Sequence, residues 1–525
     1  MKDLIIKPVG SVPISLYFIE ELGIAQLLDS YLPQGKAELP HGKVLTVLLL
    51  NILNSSTPLY KIKDWLSDYS DGIGEYASQA DKYHDKRLGD SLDILYKSDR
   101  HSLLAAISSN SIKIHKLSTD SIHNDTTKIT FCSSEPKGLI DKGKDKKGNN
   151  AYQVLWGLNV CADGFVPISY QIYSGRDADS TTHPANWKYL QEFLKGEPIT
   201  YIADCKVSTT ENIQMITESG GKLISILPAN RKEVKKFHEK ESNPKNWILT
   251  YKSNSGQNYR LKEEGTTKEG LRMIWVYSYN KAKQERDKRE KFLQKDLEKL
   301  KVLSEKKINH YRLKSKESIE KHITKHIKNK ENLIDIQVIE NQNDNGKKTC
   351  SITYQVSQEK IDLARRKDGL FPLITNKKDS PVSILEQYKN QPFLENRFRA
   401  LKSTLEVAPM FLEKPERIEA MLFLYFIALM IIALIERKIR LAMKETKVEK
   451  IPILPQNKKT ATPTWAAIRY CFHKITSVEF DTEQSIFKGI KDIHLVVLKL
   501  LNIPLDFFKQ KMEWWSWEIE IKTSG

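Results

Sequence analysis

HNDTTKITF (residues 123–131) and ITYIADCKVS (199–208) decide the fold of this 525-residue chain. In each, a run of apolar and β-branched residues meets an aspartate, Asp125 in the first and Asp204 in the second. β-Branched side chains pack well on a pleated surface and lose freedom in a helix, so both runs read as strands with an acid on or beside them. The neighbouring sequence has the same texture. STDSIHNDTTKITFC (118–132), NAYQVLWGLNVCA (150–162) and PISYQIYSG (167–175) read as three consecutive strands, the last two joined by a tight turn at ADGF (162–165). A helix follows, with Ser180 or Thr181 as its cap and Trp187, Leu190 and Phe193 on its inner face. EPITYIADC is then a buried fourth strand ending on Asp204, VSTTENIQMITESGG a short helix with a glycine stop, and KLISILPAN a fifth strand. The order β-β-β-α-β-α-β is that of a ribonuclease H-like domain, an α/β core with a mixed sheet.

Working outward, residues 1–112 read as a helical N-terminal domain, from SLYFIEELGIAQLLDSYL and KVLTVLLLNIL, whose apolar residues recur at helix spacing. The core spans 113–230 and is interrupted by an insertion over 231–368. That insertion combines strand-like pieces (NWILTYKS, NYRLKEE, MIWVYSYN, TCSITYQVS) with a charged helical arm. From Lys281 to Lys330 there are 18 Lys and Arg against 8 Asp and Glu, an excess of 10 within a chain of net charge +17. Leu293, Leu297, Leu300 and Ser304 follow helix spacing, which predicts a projecting helical hairpin, either a solvated face or an arm that contacts DNA. The core resumes over 369–445 with the strand DGLFPLITN. Residues 446–525 form a mainly helical C-terminal segment, tryptophan-rich near its end (Trp514, Trp515, Trp517) and a candidate for dimerisation.

Composition narrows the function. A pI near 9.2 points to a polyanion as partner. Five scattered cysteines, with no CxxC pair, suit a reducing compartment and no zinc site. The sixteen apolar residues 420–435 are short for a bilayer and flanked by charge, so they read as a buried core helix, no membrane is expected, and a cytoplasmic location follows.

The third informative stretch is YKNQPFLENRFRALK (388–402). At 100° per residue Gln391, Glu395, Arg399 and Lys402 share one arc of a helix beside an apolar stripe of Leu394, Phe398, Leu401 and Leu405. Pro392 is a natural first residue of such a helix, which would leave Tyr388 and Gln391 in the preceding turn. An acid followed by cations at the edge of a buried face suits a metal ligand beside phosphate contacts, with Arg397 and Arg399 as further cations. Three acids, Asp125, Asp204 and Glu395, offer the hard oxygen ligands that two divalent ions need for phosphodiester chemistry. Asp120 rivals Asp125 on the same element. Asp204 could instead cap the helix that follows it. Lys142, Lys144, Lys146 and Lys147, in the loop before the second strand, could meet phosphate or solvent.

These stretches together resemble the DDE-type transposases of bacterial insertion sequences, within them the insertion-sequence-4 superfamily and its 1634 branch. The spacing Tyr388, Gln391, Glu395, Lys402 matches that group's signature around the third acid, with glutamine where the family has arginine. VGSVPISLYFIEELG, NVCADGFVPISYQIYSG, YIADCKVSTTENI and ERIEAMLFLYFIALMIIALIER are similar too. The resemblance implies catalytic and metal-binding roles for Asp125, Asp204 and Glu395, with Tyr388, Gln391, Arg397, Arg399 and Lys402 at DNA phosphates. It implies two Mg²⁺ ions (Mn²⁺ as substitute), double-stranded DNA as partner in the form of terminal inverted repeats and target, DNA-end binding by 1–112, and a homodimer that brings two ends together at a bacterial or archaeal nucleoid. Alternatives are a ribonuclease H-like nuclease that cuts without joining and a non-catalytic, transposase-derived DNA-binding protein.

Overall fold

In the computed structural model of the chain, the structure describes residues 5–35, 38–69, 76, 79–132, 135–145, 148–240, 243–253, 256–342, 348–407, 412, 414–481 and 484–504. Trp514, Trp515, Trp517, Lys146 and Lys147 lie outside the described residues. The chain divides into two units, one of residues 1–207, 218–221 and 389–525, the other of 208–217 and 222–388.

The first unit starts with a strand, β1 (Ile5–Pro8), and the helices Val12–Glu21, Ile24–Tyr31 and His41–Asn54. The leucine-rich third helix is buried almost throughout. Helices Asp85–Lys97 and Arg100–His115 lead into the sheet. There β2 (Ser121–Phe131) is central: β4 (Asn150–Cys161) runs antiparallel on one side and β6 (Thr200–Ile202) parallel on the other, so the sheet is mixed. The outer edge of β4 pairs with β5 (Pro167–Ser174) and with β3 (Asp141–Lys144). β3 was not anticipated: Lys142 and Lys144 lie on this short strand rather than in a loop. The helix after β5 is His183–Phe193, preceded by a 3-10 turn at Asp179–Thr181. Its cap position falls to Thr182, not Ser180 or Thr181, and Thr182 gives no side-chain cap because its hydroxyl donates to Asp179 O at 2.7 Å.

The second unit is built on β7 (Lys222–Ile226), β8 (Leu249–Lys252), β9 (Asn258–Thr266), β10 (Arg272–Ser278) and β13 (Leu370–Thr375), all antiparallel in the order β7-β13-β10-β9-β8. Phe237, on helix Lys232–Lys240, stacks on Trp275 with centroids 3.5 Å apart. The basic stretch forms the helices Tyr279–Lys306 and Lys316–His326, as a helical hairpin should. Their apolar stripe passes through Leu300 and Leu303 rather than ending at Ser304, and it is covered by a hairpin of β11 (Ile334–Gln342), which was not anticipated, with β12 (Lys348–Val356), the expected strand TCSITYQVS. Leu300, Leu303, Ile319, Ile327, Ile334, Val338, Cys350 and Ile352 form that separate small core. Eight such side chains out of water give the arm a fixed packing of its own.

Returning to the first unit, helix Gln391–Arg399 runs into a π-helical turn, Ala400–Thr404, closed by Leu405 N donating to Ala400 O at 2.9 Å. The apolar run 420–435 lies inside a longer helix, Pro415–Glu445, the one helix among the described residues long and apolar enough to cross a membrane. Its apolar window is 94% buried inside the structure, among helices His41–Asn54 and Asp85–Lys97 and β5, which is the core placement its flanking charges implied. Arg417 is bidentate to Asp93 at 2.8 and 2.7 Å and fixes its start. Among its described residues the C-terminal segment is not mainly helical. Beside helices Trp465–Phe472 and Asp492–Leu500 it holds β14 (Ile451–Leu454), β15 (Lys458–Thr460), β16 (Thr476–Asp481) and β17 (Gln484–Lys488), and β16 lies between β17 and the N-terminal β1.

Candidate active site

The parallel register Ser121↔Thr200, Ile122↔Tyr201, His123↔Ile202, continued by two residues, brings Asp204 alongside Asp125. Each carboxylate is steadied from its own backbone: Thr126 N donates to Asp125 Oδ1 at 2.8 Å, and Lys206 N to Asp204 Oδ1 at 2.8 Å. Asp125 is pushed up to about 7, first by burial and then by the like charges of Asp204, Asp179 and Glu395, against the Thr126 N–H. Asp204 is also raised, by burial first and Asp179 next, against the N–H and the charge of Lys206. Glu395 is exposed on helix Gln391–Arg399 and within electrostatic reach of Asp125. Asp125 is thus within electrostatic reach of both Asp204 and Glu395. Asp120 is not among them: it sits before β2 and accepts from the Ser118 hydroxyl at 2.8 Å.

Residues of the same face of β2 dock that helix. Gln391 donates from Nε2 to Asn124 O at 2.9 Å, and its Oε1 is 2.8 Å from His123 Nδ1. Burial drives His123 down to about 4, so its ring is neutral and Nδ1–H is the donor. About three turns beyond Gln391, Lys402 Nζ donates to Thr127 Oγ1 at 2.7 Å. Gln391 is the first residue of the helix and Pro392 the second, so Gln391 is not in a preceding turn, whereas Tyr388 is in the last turn of helix Pro381–Lys389, in the other unit.

Arg397 was expected at phosphate and is instead 4% exposed. It pairs with Glu436 at 2.6 Å and donates to Phe165 O and Gly164 O at 2.8 and 2.9 Å. Those two carbonyls belong to the β4–β5 turn, so Arg397 clamps the turn to the Glu395 helix, aided by Phe165 stacked on Phe393 with centroids 4.6 Å apart. Gly164 is required there: its φ is +75°, and a Cβ would lie 2.6 Å from Arg437 Cδ. Gln391 is likewise buried, with both ends of its amide bonded inside, which corrects its expected phosphate contact. Arg399 is the cation of this helix that remains exposed.

Asp179 escaped the sequence reading. It accepts from Thr126 Oγ1 at 2.9 Å and adds negative charge near both Asp125 and Asp204. Its place in GRDADST, a loop of turn-forming residues, gave no apolar run to mark it.

Among the described residues, no three acidic, imidazole or thiol groups are close enough to form a ready-made metal cage. The donor set still suits hard divalent ions: every candidate is a carboxylate, and their mutual repulsion leaves a charge deficit that a cation relieves. No curated protein matches the chain. A piggyBac transposase synaptic complex with hairpin DNA, solved by cryo-EM, is similar over 89% of this chain and 82% of its own, at 9% identity and a TM-score of 0.38, a likeness too slight to argue from. Residues 4–109 match a family described as a domain of unknown function. Residues 120–431, more than half of the chain and including all three acids, match the family described as Transposase DDE domain. The chain therefore belongs to the DDE transposases, enzymes of DNA transposition.

Proposed function

We propose that Asp125, Asp204 and Glu395 are the catalytic acids and metal ligands of this transposase, set in a ribonuclease H-like core of the insertion-sequence-4 superfamily, 1634 branch. The observation that carries this reading is the side-by-side register of Asp125 and Asp204, with the helix of Glu395 bracketed onto the same strand through Gln391. When bound, two Mg²⁺ ions, or Mn²⁺ in their place, would lower the pKa of an attacking water and neutralise charge on the phosphoryl and leaving oxygens. Asp125, poised near 7, holds a proton in the metal-free site and gives it up as a cation takes its place. Glu395 supplies an exposed carboxylate from the helix docked on β2. Its position is fixed at one end by Gln391 and at the other by Lys402, so the helix does not need to order when DNA arrives. Arg399 offers a planar, exposed guanidinium to a phosphate one turn beyond Glu395. Tyr388 remains a proposed phosphate contact, whereas Lys402 serves first as a brace.

The substrate is double-stranded DNA: inverted repeats at the element's ends, nicked by water, then a target attacked by the freed 3′-hydroxyl. Residues 1–112 would hold the ends, the basic insertion over 231–368 the flanking duplex, and 446–525 a second copy in a homodimer, in a cytoplasmic, nucleoid-associated setting. The test is incubation of a labelled duplex carrying the flanking repeats with Mg²⁺ and then with target DNA. Joined products with the wild type, absent with Glu395→Gln, support the transposase reading. Cleavage without joining would favour a nuclease, and metal-independent binding alone a retired DNA-binding protein.

A further inference from the structure

The segment KKINHYRLKSK (306–316) holds five cations and no acid. It links the two helices of the arm, and its backbone is closed rather than open: Asn309 N donates to Leu313 O at 2.7 Å and Leu313 N to His310 O at 3.0 Å. The Asn309 side chain clasps Cys350 of β12 as a strand would, donating to its carbonyl at 2.8 Å and accepting from its N–H at 2.7 Å. Ile308 and Leu313, on either side of the tip, pack against the small core of the arm. Between these anchors Tyr311 stands 94% exposed with φ +47°, a left-handed conformation that a bulky side chain rarely adopts. His310, Arg312 and Lys314 beside it are exposed as well.

We infer that this tip is a stacking wedge for DNA: Tyr311 lies against the face of a base at a distorted step while Arg312 and Lys314 hold the flanking phosphates. The inference deepens the transposase reading and rests on it. A loop this rich in cations meets a polyanion, and an aromatic ring held outward among them gains most from a flat, apolar partner, which in a nucleic acid is a base. A braced loop keeps the ring presented, so little freedom is lost on contact.

The full-length protein is titrated against a fluorescein-labelled duplex of the flanking repeats at several salt concentrations, and bound DNA is probed with permanganate, which oxidises unstacked thymines. Tyr311→Ala is expected to weaken binding on the order of tenfold or more without changing the salt dependence, and to abolish a permanganate-reactive step that Tyr311→Phe preserves. Arg312→Ala should instead reduce the slope of log affinity against log salt by about one. If the wild type cuts the duplex in Mg²⁺ while Tyr311→Ala matches it in affinity and footprint, the wedge is overturned and the transposase reading stands. If the wild type neither binds nor cuts, both fall.

Discussion

Asp125→Asn should make the metal-free protein more stable above neutral pH, although it removes a residue of the active centre. In the folded chain the Asp125 carboxyl titrates near 7 instead of near 3.8, burial being the larger cause and the neighbouring acids the smaller. The folded state therefore holds this proton more tightly than the unfolded state. Stability is fully present below about 3.8, declines as pH rises, and is lost once pH passes about 7. At roughly 1.36 kcal/mol for each pKa step, the difference is about 4 kcal/mol. Asparagine keeps the acceptor for Thr126 N and carries no charge to bury, so the variant avoids most of that loss. The assay is thermal unfolding of both proteins in EDTA across pH 4 to 8, with a gap opening toward pH 7 and reaching about 5 °C. Adding Mg²⁺ should close the gap by stabilising the wild type more, since a cation bound only to the folded state stabilises it by mass action. Parallel curves for the two proteins between pH 4 and 7 would refute the reasoning, because they would mean that the Asp125 carboxylate is not held among uncompensated charges.

Three further outcomes follow from the same geometry. Gln391→Ala leaves His123 Nδ1–H and Asn124 O without their partners, so chemical denaturation should show a loss of about 2–3 kcal/mol, with cleavage falling further because Glu395 loses its anchor. Arg397→Ala takes from buried Glu436 its closest cation, leaving it Arg440 at 3.5 Å and the Trp465 N–H at 3.0 Å, and should cost about 2–3 kcal/mol, with the coupling of Arg397 to Glu436 read by a double-mutant cycle of Arg397→Met and Glu436→Leu. On the acid side, His123 and His183 are both held near 4 by burial, so stability should fall as pH drops from about 6.5 toward 4, and His123→Gln should flatten part of that fall in a pH-melting series.

What the sequence disclosed was what local chemistry controls. Apolar, β-branched runs, one interrupted by Asp125 and one ending at Asp204, made strands, and the short parallel strand Thr200–Ile202 placed the two acids together. Helix-spaced leucines made the arm, and charged flanks made the 420–435 run a core helix. The misreadings arose where partners distant in sequence decide. Arg397 looks like any exposed cation until Glu436, 39 residues later, and the β4–β5 turn are known to meet it. The 100° arc through Lys402 assumed a regular helix, but the π-turn at Ala400–Thr404 changes the angle per residue. β11 begins IDIQV, a strict apolar–polar alternation that marks a half-buried strand, so this element was legible in the sequence beside the charged arm. Asp179 owes its place to a hydrogen bond with Thr126, 53 residues earlier.

The central claim is that Asp125, Asp204 and Glu395 act together as one metal-dependent centre for cutting DNA. The most direct measurement is Mg²⁺-dependent strand cleavage of a duplex bearing the flanking repeats by the wild type, Asp125→Asn, Asp204→Asn and Glu395→Gln, with DNA affinity measured in parallel. The account predicts that every single substitution abolishes cleavage while binding persists. Cleavage at the wild-type rate by any one of the three would contradict it.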